Sequence, residues 1–134
     1  MKNQNGESQI PPLLQVAEVK VKYQSNLPFA NHPRVNSSDD AEKIFRVNWG
    51  DDMELFEEFN VIFLNRANYV KGLLRLSRGG LTGTVADPRI LFATALKGLA
   101  VGIIAGHNHP SGSINPSSQD IELTKKLKEI GRFH

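Results

Sequence analysis

The sequence contains no cysteine among its 134 residues. This absence excludes disulfide bonds, cysteine nucleophiles and thiolate ligands for zinc. Histidine, aspartate and glutamate are therefore the side chains from which a metal site could be built. Because a cytosolic protein needs no cysteine, the absence does not decide the compartment.

The chain also lacks a dominant charge and a long apolar run. Its 16 lysines and arginines nearly balance 14 aspartates and glutamates, so the composition does not favour a polyanionic partner such as nucleic acid. No segment approaches the ~20 apolar residues that span a bilayer, and MKNQNGESQIPPLL at the start lacks the apolar core of a signal peptide. We expect a cytoplasmic protein that is not membrane-bound and that binds nucleic acid weakly or not at all.

What the chain does have is enough apolar sequence for one domain. Its length of 134 residues and its 40% hydrophobic content suit a single domain with a core. Residues 1–12 are polar and end in two prolines, which predicts a mobile lead-in. Residues 13–134 are then assigned to the domain.

Four segments have the residue pattern of β-strands. The first alternates apolar and polar side chains, and the others are rich in aromatic, β-branched and other apolar residues. They are residues 16–23, 59–64, 69–76 and 101–105. Turn residues at 65–68 join the second and third strands into a hairpin, and the uniformly apolar fourth strand is expected to be covered on both faces.

Three helices are predicted from their start signals. Ser37 or Ser38 can cap the first, the aspartate of Asp87–Pro88 can cap the second, and the third follows Pro116. The second is expected to end near Gly98. Because strands and helices alternate, we expect an α/β fold in which helices flank a mixed sheet.

Two of the four histidines stand one residue apart at the start of HNHPSGSINPSSQD, residues 107–120. In an extended chain, residues i and i+2 project to the same side, so His107 and His109 can converge on one point. Asp120, in the first turn of the next helix, offers a carboxylate. Two imidazoles and a carboxylate, with one position left for water, are typical of a catalytic zinc site and not of a structural one.

The same segment has an ordinary interpretation. Ser117 and Asp120 form an S-x-x-D pattern, a variant of the capping box that opens many helices. Taken alone, this pattern favours capping. Capping leaves the two adjacent histidines unexplained, so the combination favours a metal site. The isolated His32 and His134 are expected to be exposed and without a role.

The histidine pair is followed after seven residues by Ser117 and after two more by Asp120. This spacing is similar to the JAMM signature of the JAB/MPN metalloprotease superfamily. HNHPSG and the Ser-x-x-Asp helix start resemble its RadC-type branch, whose members are sometimes labelled DNA repair proteins. EEFNVIFLNRANYVKG and GGLTGTVADPRILFATAL extend the resemblance over about residues 54–131, which implies a single JAB/MPN-like domain.

The resemblance implies zinc-dependent hydrolysis of an amide in a peptide or isopeptide-like substrate. His107, His109 and Asp120 match the family's zinc ligands. Ser117 matches the serine that helps to hold the tetrahedral intermediate.

The family's general base is a glutamate two residues before a phenylalanine, and Glu57 matches that position. Glu58 is the adjacent competitor, and Glu54 is a distant third. Strand alternation allows only one of the two neighbouring glutamates to face the site.

RadC-type domains usually continue past the helix that ends this chain, with a strand that contains an Asp-His pair. The resemblance therefore implies either a C-terminally truncated domain or a sheet without that strand. Three classes of function remain: a zinc metallopeptidase, a DNA-associated module, and a scaffold without activity. The sequence predicts neither the physiological substrate nor the oligomeric state.

Overall fold

The computed structural model describes residue 11 and residues 14–51, 53–79 and 86–132. Nearly all of the lead-in assigned to residues 1–12 lies outside this part of the chain. The helices and strands are α1 (Ser38–Trp49), β1 (Glu58–Leu64), β2 (Val70–Arg78), α2 (Pro88–Lys97), β3 (Gly102–His107) and α3 (Ser118–Gly131). A short 3-10 helix, Phe29–Asn31, precedes α1.

The three strands form one sheet in the order β2-β1-β3, and β1 is antiparallel to both neighbours. The predicted hairpin and the α/β class are confirmed. The described strands pair only antiparallel, so the mixed pairing that we expected is not found among them. The reason is the route of the chain, because the connection through α2 crosses to the far edge of β1. β2 and β3 therefore run in the same direction without being neighbours.

The central strand β1 is buried along its whole length. Phe59, Val61 and Phe63 pack in one cluster with apolar side chains of α2 and α3. Ile62 and Leu64 pack in a second cluster with apolar side chains of α1. Because successive side chains of a strand point to opposite faces, this division places α1 on one face of the sheet and α2 with α3 on the other.

The helix starts agree with the prediction. The Ser37 side chain accepts a hydrogen bond from the Asp40 N–H at 3.2 Å, and the Asp87 side chain accepts one from the Arg89 N–H at 2.9 Å. α2 ends at Lys97, one residue before the predicted glycine. None of the helices in the described ranges is long and apolar enough to cross a membrane.

β3 differs from the expected doubly covered strand. It lies at an edge of the described sheet, its side chains are mostly half-buried, and Val101 just before it is 71% exposed. In the described part of the chain, β1 is its one strand neighbour. The prediction that this run is covered on both faces is therefore wrong for the described residues: none of residues 101–105 is buried, and Val101 and Ala105 are exposed.

The strand predicted at residues 16–23 is wrong. The segment has no regular secondary structure, and Val16 and Val19 are 91% and 88% exposed. Alternation alone cannot form a strand without a partner, and in the described ranges this segment pairs with none. Tyr23 does contact the sheet, because its hydroxyl donates to the Lys71 carbonyl at 2.5 Å.

His32 is half-buried and bonded, so the prediction that it is exposed and without a role is wrong. Its Nδ1 lies 2.6 Å from the Val70 carbonyl oxygen, and its Nε2 lies 3.0 Å from the Ser25 hydroxyl. Its ring also packs beside Phe29, with 5.2 Å between centroids. The imidazole thus fastens the segment before α1 to the start of β2. His134 lies outside the described residues.

Candidate metal centre

The site is built where β3 ends and α3 begins. His107 is the last residue of β3 and pairs with Phe59 of β1. Its imidazole stacks on the Phe59 ring, with 6.1 Å between centroids and 12° between planes. Phe59 faces α2 and α3, so this stacking holds His107 on the side of the sheet where α3 starts.

Four side chains meet at this point. One donor atom from each of Glu57, His107, His109 and Asp120 lies within 4.8 Å of all the others, and each of these residues is partly buried. The two histidine Nε2 atoms are 2.6 Å apart. Asp120 lies 3.3 Å from each of them, through Oδ1 for His107 and Oδ2 for His109. The structure therefore brings together the three predicted ligands and the glutamate predicted as the base.

The tautomer of His109 follows from its second nitrogen. Nδ1 lies 2.8 Å from the Ser113 carbonyl oxygen, which can only accept a hydrogen bond. In the neutral ring, the proton must therefore be on Nδ1, and the lone pair must be on Nε2. Metal-ligating histidines have this arrangement, in which one nitrogen donates to a backbone carbonyl and the other faces the ion.

The donor spacing is close to that of a tetrahedral centre. Metal–ligand bonds of about 2.0–2.1 Å hold tetrahedral donor atoms about 3.3–3.4 Å apart. Each histidine Nε2 lies at this spacing, 3.3 Å, from one Asp120 oxygen, which is Oδ1 for His107 and Oδ2 for His109. The histidine nitrogens, at 2.6 Å, are closer than this spacing, so the rings must separate by about 0.7 Å to share an ion. A small rotation of the rings would suffice.

Asp120 and Ser117 also form the capping box that the sequence pattern indicated. Asp120 Oδ2 accepts from the Ser117 N–H at 2.7 Å, and Ser117 Oγ accepts from the Asp120 N–H at 3.1 Å. The capping interpretation and the metal interpretation are therefore compatible, because the same carboxylate does both. Since Ser117 Oγ is used as an acceptor here, its hydroxyl proton is still available to a ligand in the site.

The pKa of the Asp120 carboxyl is lowered in the folded protein, which keeps the group ionised at neutral pH. Partial burial raises its pKa, but hydrogen bonding to Ser117 and electrostatic interaction with His107 and His109 lower it more. The net pKa lies below the ordinary value of 3.8. A pKa lowered by folding stabilises the folded state above the unfolded-state pKa, and this contribution is lost as the pH falls through the folded-state pKa. At neutral pH the residue is a carboxylate, as a metal ligand must be.

Substituting Ser117 should separate the capping of α3 from the contribution of this helix start to metal binding. Ser117→Ala is expected to lower the free energy of unfolding by about 1 kcal/mol, because α3 loses its N-cap. Ser37→Ala is the matched control, because it removes the same kind of cap from α1. Urea denaturation should show similar losses for both, and only Ser117→Ala should weaken metal binding. An unchanged unfolding free energy in Ser117→Ala would contradict the capping geometry.

The neighbouring glutamates face opposite sides of the sheet. Glu57 belongs to the cluster, whereas Glu58 is only 1% exposed and forms ion pairs with two arginines of β2. Its carboxylate oxygens lie 3.2 Å from Arg75 Nε and 3.5 Å from Arg78 Nε. Glu54 is exposed and does not belong to the cluster. The geometry therefore favours Glu57 as the base, and its catalytic role stays a prediction.

Sequence reasoning did not single out Asn108, the residue between the two histidines. Its side chain forms three hydrogen bonds with backbone groups of Met53, Phe56 and Glu58, that is, with the segment before β1 and the first residue of β1. The position is polar in the motif, but no spacing rule connects it with a segment some 50 residues earlier. This contact could be found only in the structure.

Fold and site together define an α/β domain whose histidine and carboxylate cluster could hold a metal ion. The family model that matches the chain is the RadC-like JAB domain, over residues 35–134, and the chain belongs to that family. This confirms the resemblance seen in the motif.

The curated relatives are bacterial proteins named UPF0758 protein. The one from Flavobacterium johnsoniae is 44% identical over 100 residues, which is 75% of this chain and 43% of the relative. The one from Clostridium tetani is 32% identical over 130 residues, or 96% of this chain and 55% of the relative. The chain thus spans about half the length of these relatives.

Proposed function

We propose that the protein is a zinc-dependent metallohydrolase that cleaves amide bonds, of the metallopeptidase or isopeptidase type. The observation that carries this proposal is the convergence of two imidazoles and two carboxylates within 4.8 Å. Structural zinc sites have all four positions filled by the protein, mostly by thiolates, and this chain has no cysteine. Three ligands from His107, His109 and Asp120 would leave one position for water and Glu57 free for proton transfer, as in catalytic sites. Membership of the RadC-like JAB family supports the same class.

The ligand set suits zinc and the chemistry of an activated water. His107, His109 and Asp120 would hold the ion, and a bound zinc would lower the pKa of a water ligand to around 7. The nitrogen and oxygen donors, without any thiolate, match the composition of catalytic zinc sites. The Nδ1 contact of His109 with the Ser113 carbonyl oxygen keeps Nε2 available as a donor.

Two further side chains supply the proton transfer and the charge stabilisation. Glu57 accepts the proton of the attacking water and returns it to the leaving amine, as a positioned general base can. The Ser117 hydroxyl donates to the oxygen on which negative charge develops. Its position at the N-terminus of α3 adds the positive end of the helix dipole near the same point.

The DNA-associated module is the weaker candidate. The formal net charge of +2 offers little counterion release, on which binding to a polyanion depends. The exposed lysines of α3, at positions 125, 126 and 128, are explained by a solvated helix face. A scaffold without activity would have no physical need for a converged ligand set.

A substrate panel with controlled metal content tests the proposal. We expect the zinc-loaded protein to cleave at least one member of a panel of peptides and isopeptide-linked pairs. Chelation should abolish the cleavage, and added zinc should restore it. Cleavage that persists without metal, or a fully loaded protein that cleaves no member, would count against the hydrolase. Sub-micromolar binding of labelled DNA near physiological salt would favour the DNA-associated module instead.

A further inference from the structure

The side chain of Asn108 links the histidine loop to the segment that carries Glu57. Its Nδ2 donates to the carbonyl oxygens of Met53 and Phe56, at 2.5 and 2.8 Å. Its Oδ1 accepts from the N–H of Glu58 at 2.8 Å. The amide thus uses both of its donor hydrogens and its acceptor on one stretch of backbone.

The direction of this side chain follows from its place in the chain. Asn108 lies between the two histidines just after β3, so it points away from the metal cluster while its neighbours point into it. What it contacts is the backbone on both sides of Glu57, namely Phe56 before it and Glu58 after it. Asn108 therefore holds the backbone on both sides of Glu57, and this backbone fixes where the Glu57 side chain begins.

Glu57 needs such a clamp because the sheet holds it incompletely. β1 begins at Glu58, so Glu57 lies outside the strand. Its carbonyl oxygen accepts from the Gly79 N–H at 2.8 Å, and this bond fixes one side of the residue. The bonds from Asn108 fix the flanking peptides to the loop that carries the two histidines.

We propose that Asn108 is a positioning residue that holds Glu57 in register with the histidine pair. This inference rests on the proposed function, in which Glu57 must reach the metal-activated water. A displacement of about 1 Å in such a group can cost a hundredfold in rate. Because the clamp originates inside the His-x-His segment, any shift of the histidines also carries the base with it.

The chemistry of the clamp requires a carboxamide. Aspartate at this position would keep the acceptor for the Glu58 N–H but would place its second oxygen against two carbonyl oxygens. Alanine would remove all three bonds. Asn108→Ala and Asn108→Asp are therefore the two test variants, and either one alone can decide the result.

Asn65 offers a matched control at the other end of β1. Its Oδ1 accepts from the N–H groups of Ala67 and Tyr69, both at 2.9 Å, and holds the turn to β2. Asn65→Ala also removes asparagine–backbone bonds next to the same strand. It should lower stability without moving Glu57.

The first measurement does not depend on activity. Zinc is added to protein labelled with carbon-13, and the NMR shift of the Glu57 carboxyl carbon is followed. We expect a clear zinc-induced change in the wild type and in Asn65→Ala, and a lost or much smaller change in the Asn108 variants. Zinc stoichiometry should be the same in all four proteins. An unchanged Glu57 response in an Asn108 variant overturns the inference, and so does its loss in Asn65→Ala as well.

The second measurement is a double-mutant cycle with a substrate found by the panel. Asn108→Ala should lower kcat/KM by about 10- to 100-fold in the wild-type background. It should add almost nothing in the Glu57→Gln background, because a residue that acts through Glu57 has no separate effect once Glu57 is disabled. Full additivity overturns the positioning role. Full turnover in Glu57→Gln would refute the proposed base, while the zinc response would still decide whether Asn108 positions this side chain.

Discussion

Glu57→Gln is expected to retain the bound metal and to lose hydrolysis by about 10²–10⁴-fold, the usual contribution of a positioned base. The three ligands are untouched, and the side-chain volume is nearly the same. An amide cannot accept the proton of the water, so there is no partial substitute. Metal analysis of the purified variant and kcat/KM on the same preparation give both halves of the result.

Two other glutamates control for this substitution. Glu54→Gln alters an exposed residue outside the cluster and should change neither metal content nor turnover. Glu58→Gln breaks the ion pairs of the buried Glu58 carboxylate with the half-exposed Arg75 and Arg78, so we expect it to lower stability without a direct effect on the chemistry. If Glu57→Gln kept full turnover while a folded Glu58→Gln lost it, the base would be Glu58.

His109→Ala is expected to abolish stoichiometric metal binding, whereas the wild type should bind about one zinc per chain. Two protein ligands remain in this variant, which is fewer than catalytic zinc sites use. The loss of affinity should exceed the 10- to 100-fold cost of removing a residue that merely supports a ligand. Reconstitution with zinc, followed by dialysis and metal analysis, measures it.

His32→Ala is the matched control for the loss of an imidazole. His32 bonds to the Val70 carbonyl oxygen far from the cluster, and its removal takes this partner from a partly buried carbonyl. We expect a loss of about 1–3 kcal/mol in the free energy of unfolding and unchanged zinc content. Equal zinc in the wild type and His109→Ala after reconstitution would reject the ligand assignment.

The three ligands could be predicted from sequence because they belong to one short segment. Extended geometry places His107 and His109 on one side, and the start of a helix places Asp120 nearby, so no distant contact has to be known. Glu57 is different, because long-range contacts bring it to them, namely the pairing of β1 with β3 and the bonds of Asn108 to the flanking peptides. Its assignment came from the family resemblance and not from a local pattern.

The failures have a common physical cause. Alternation at residues 16–23 and the apolar run at 101–105 indicate which faces prefer burial, but not which element covers them. His32 and Asn108 each bond to backbone at least 38 residues away. A single polar side chain that bonds to distant backbone leaves no periodic signal, so the sequence could not reveal either contact.

Asp120 both caps α3 and faces the two histidines, and this affects how long a bound ion would stay in the site. The first turn of a helix is where fraying begins, on a timescale far shorter than that of global unfolding. Because Oδ2 accepts the Ser117 N–H while both oxygens face the imidazoles, fraying of α3 pulls a ligand away from the ion. An ion held by Asp120 opposes that fraying in turn. The residence time of the ion and the lifetime of the first turn of α3 would then increase or decrease together.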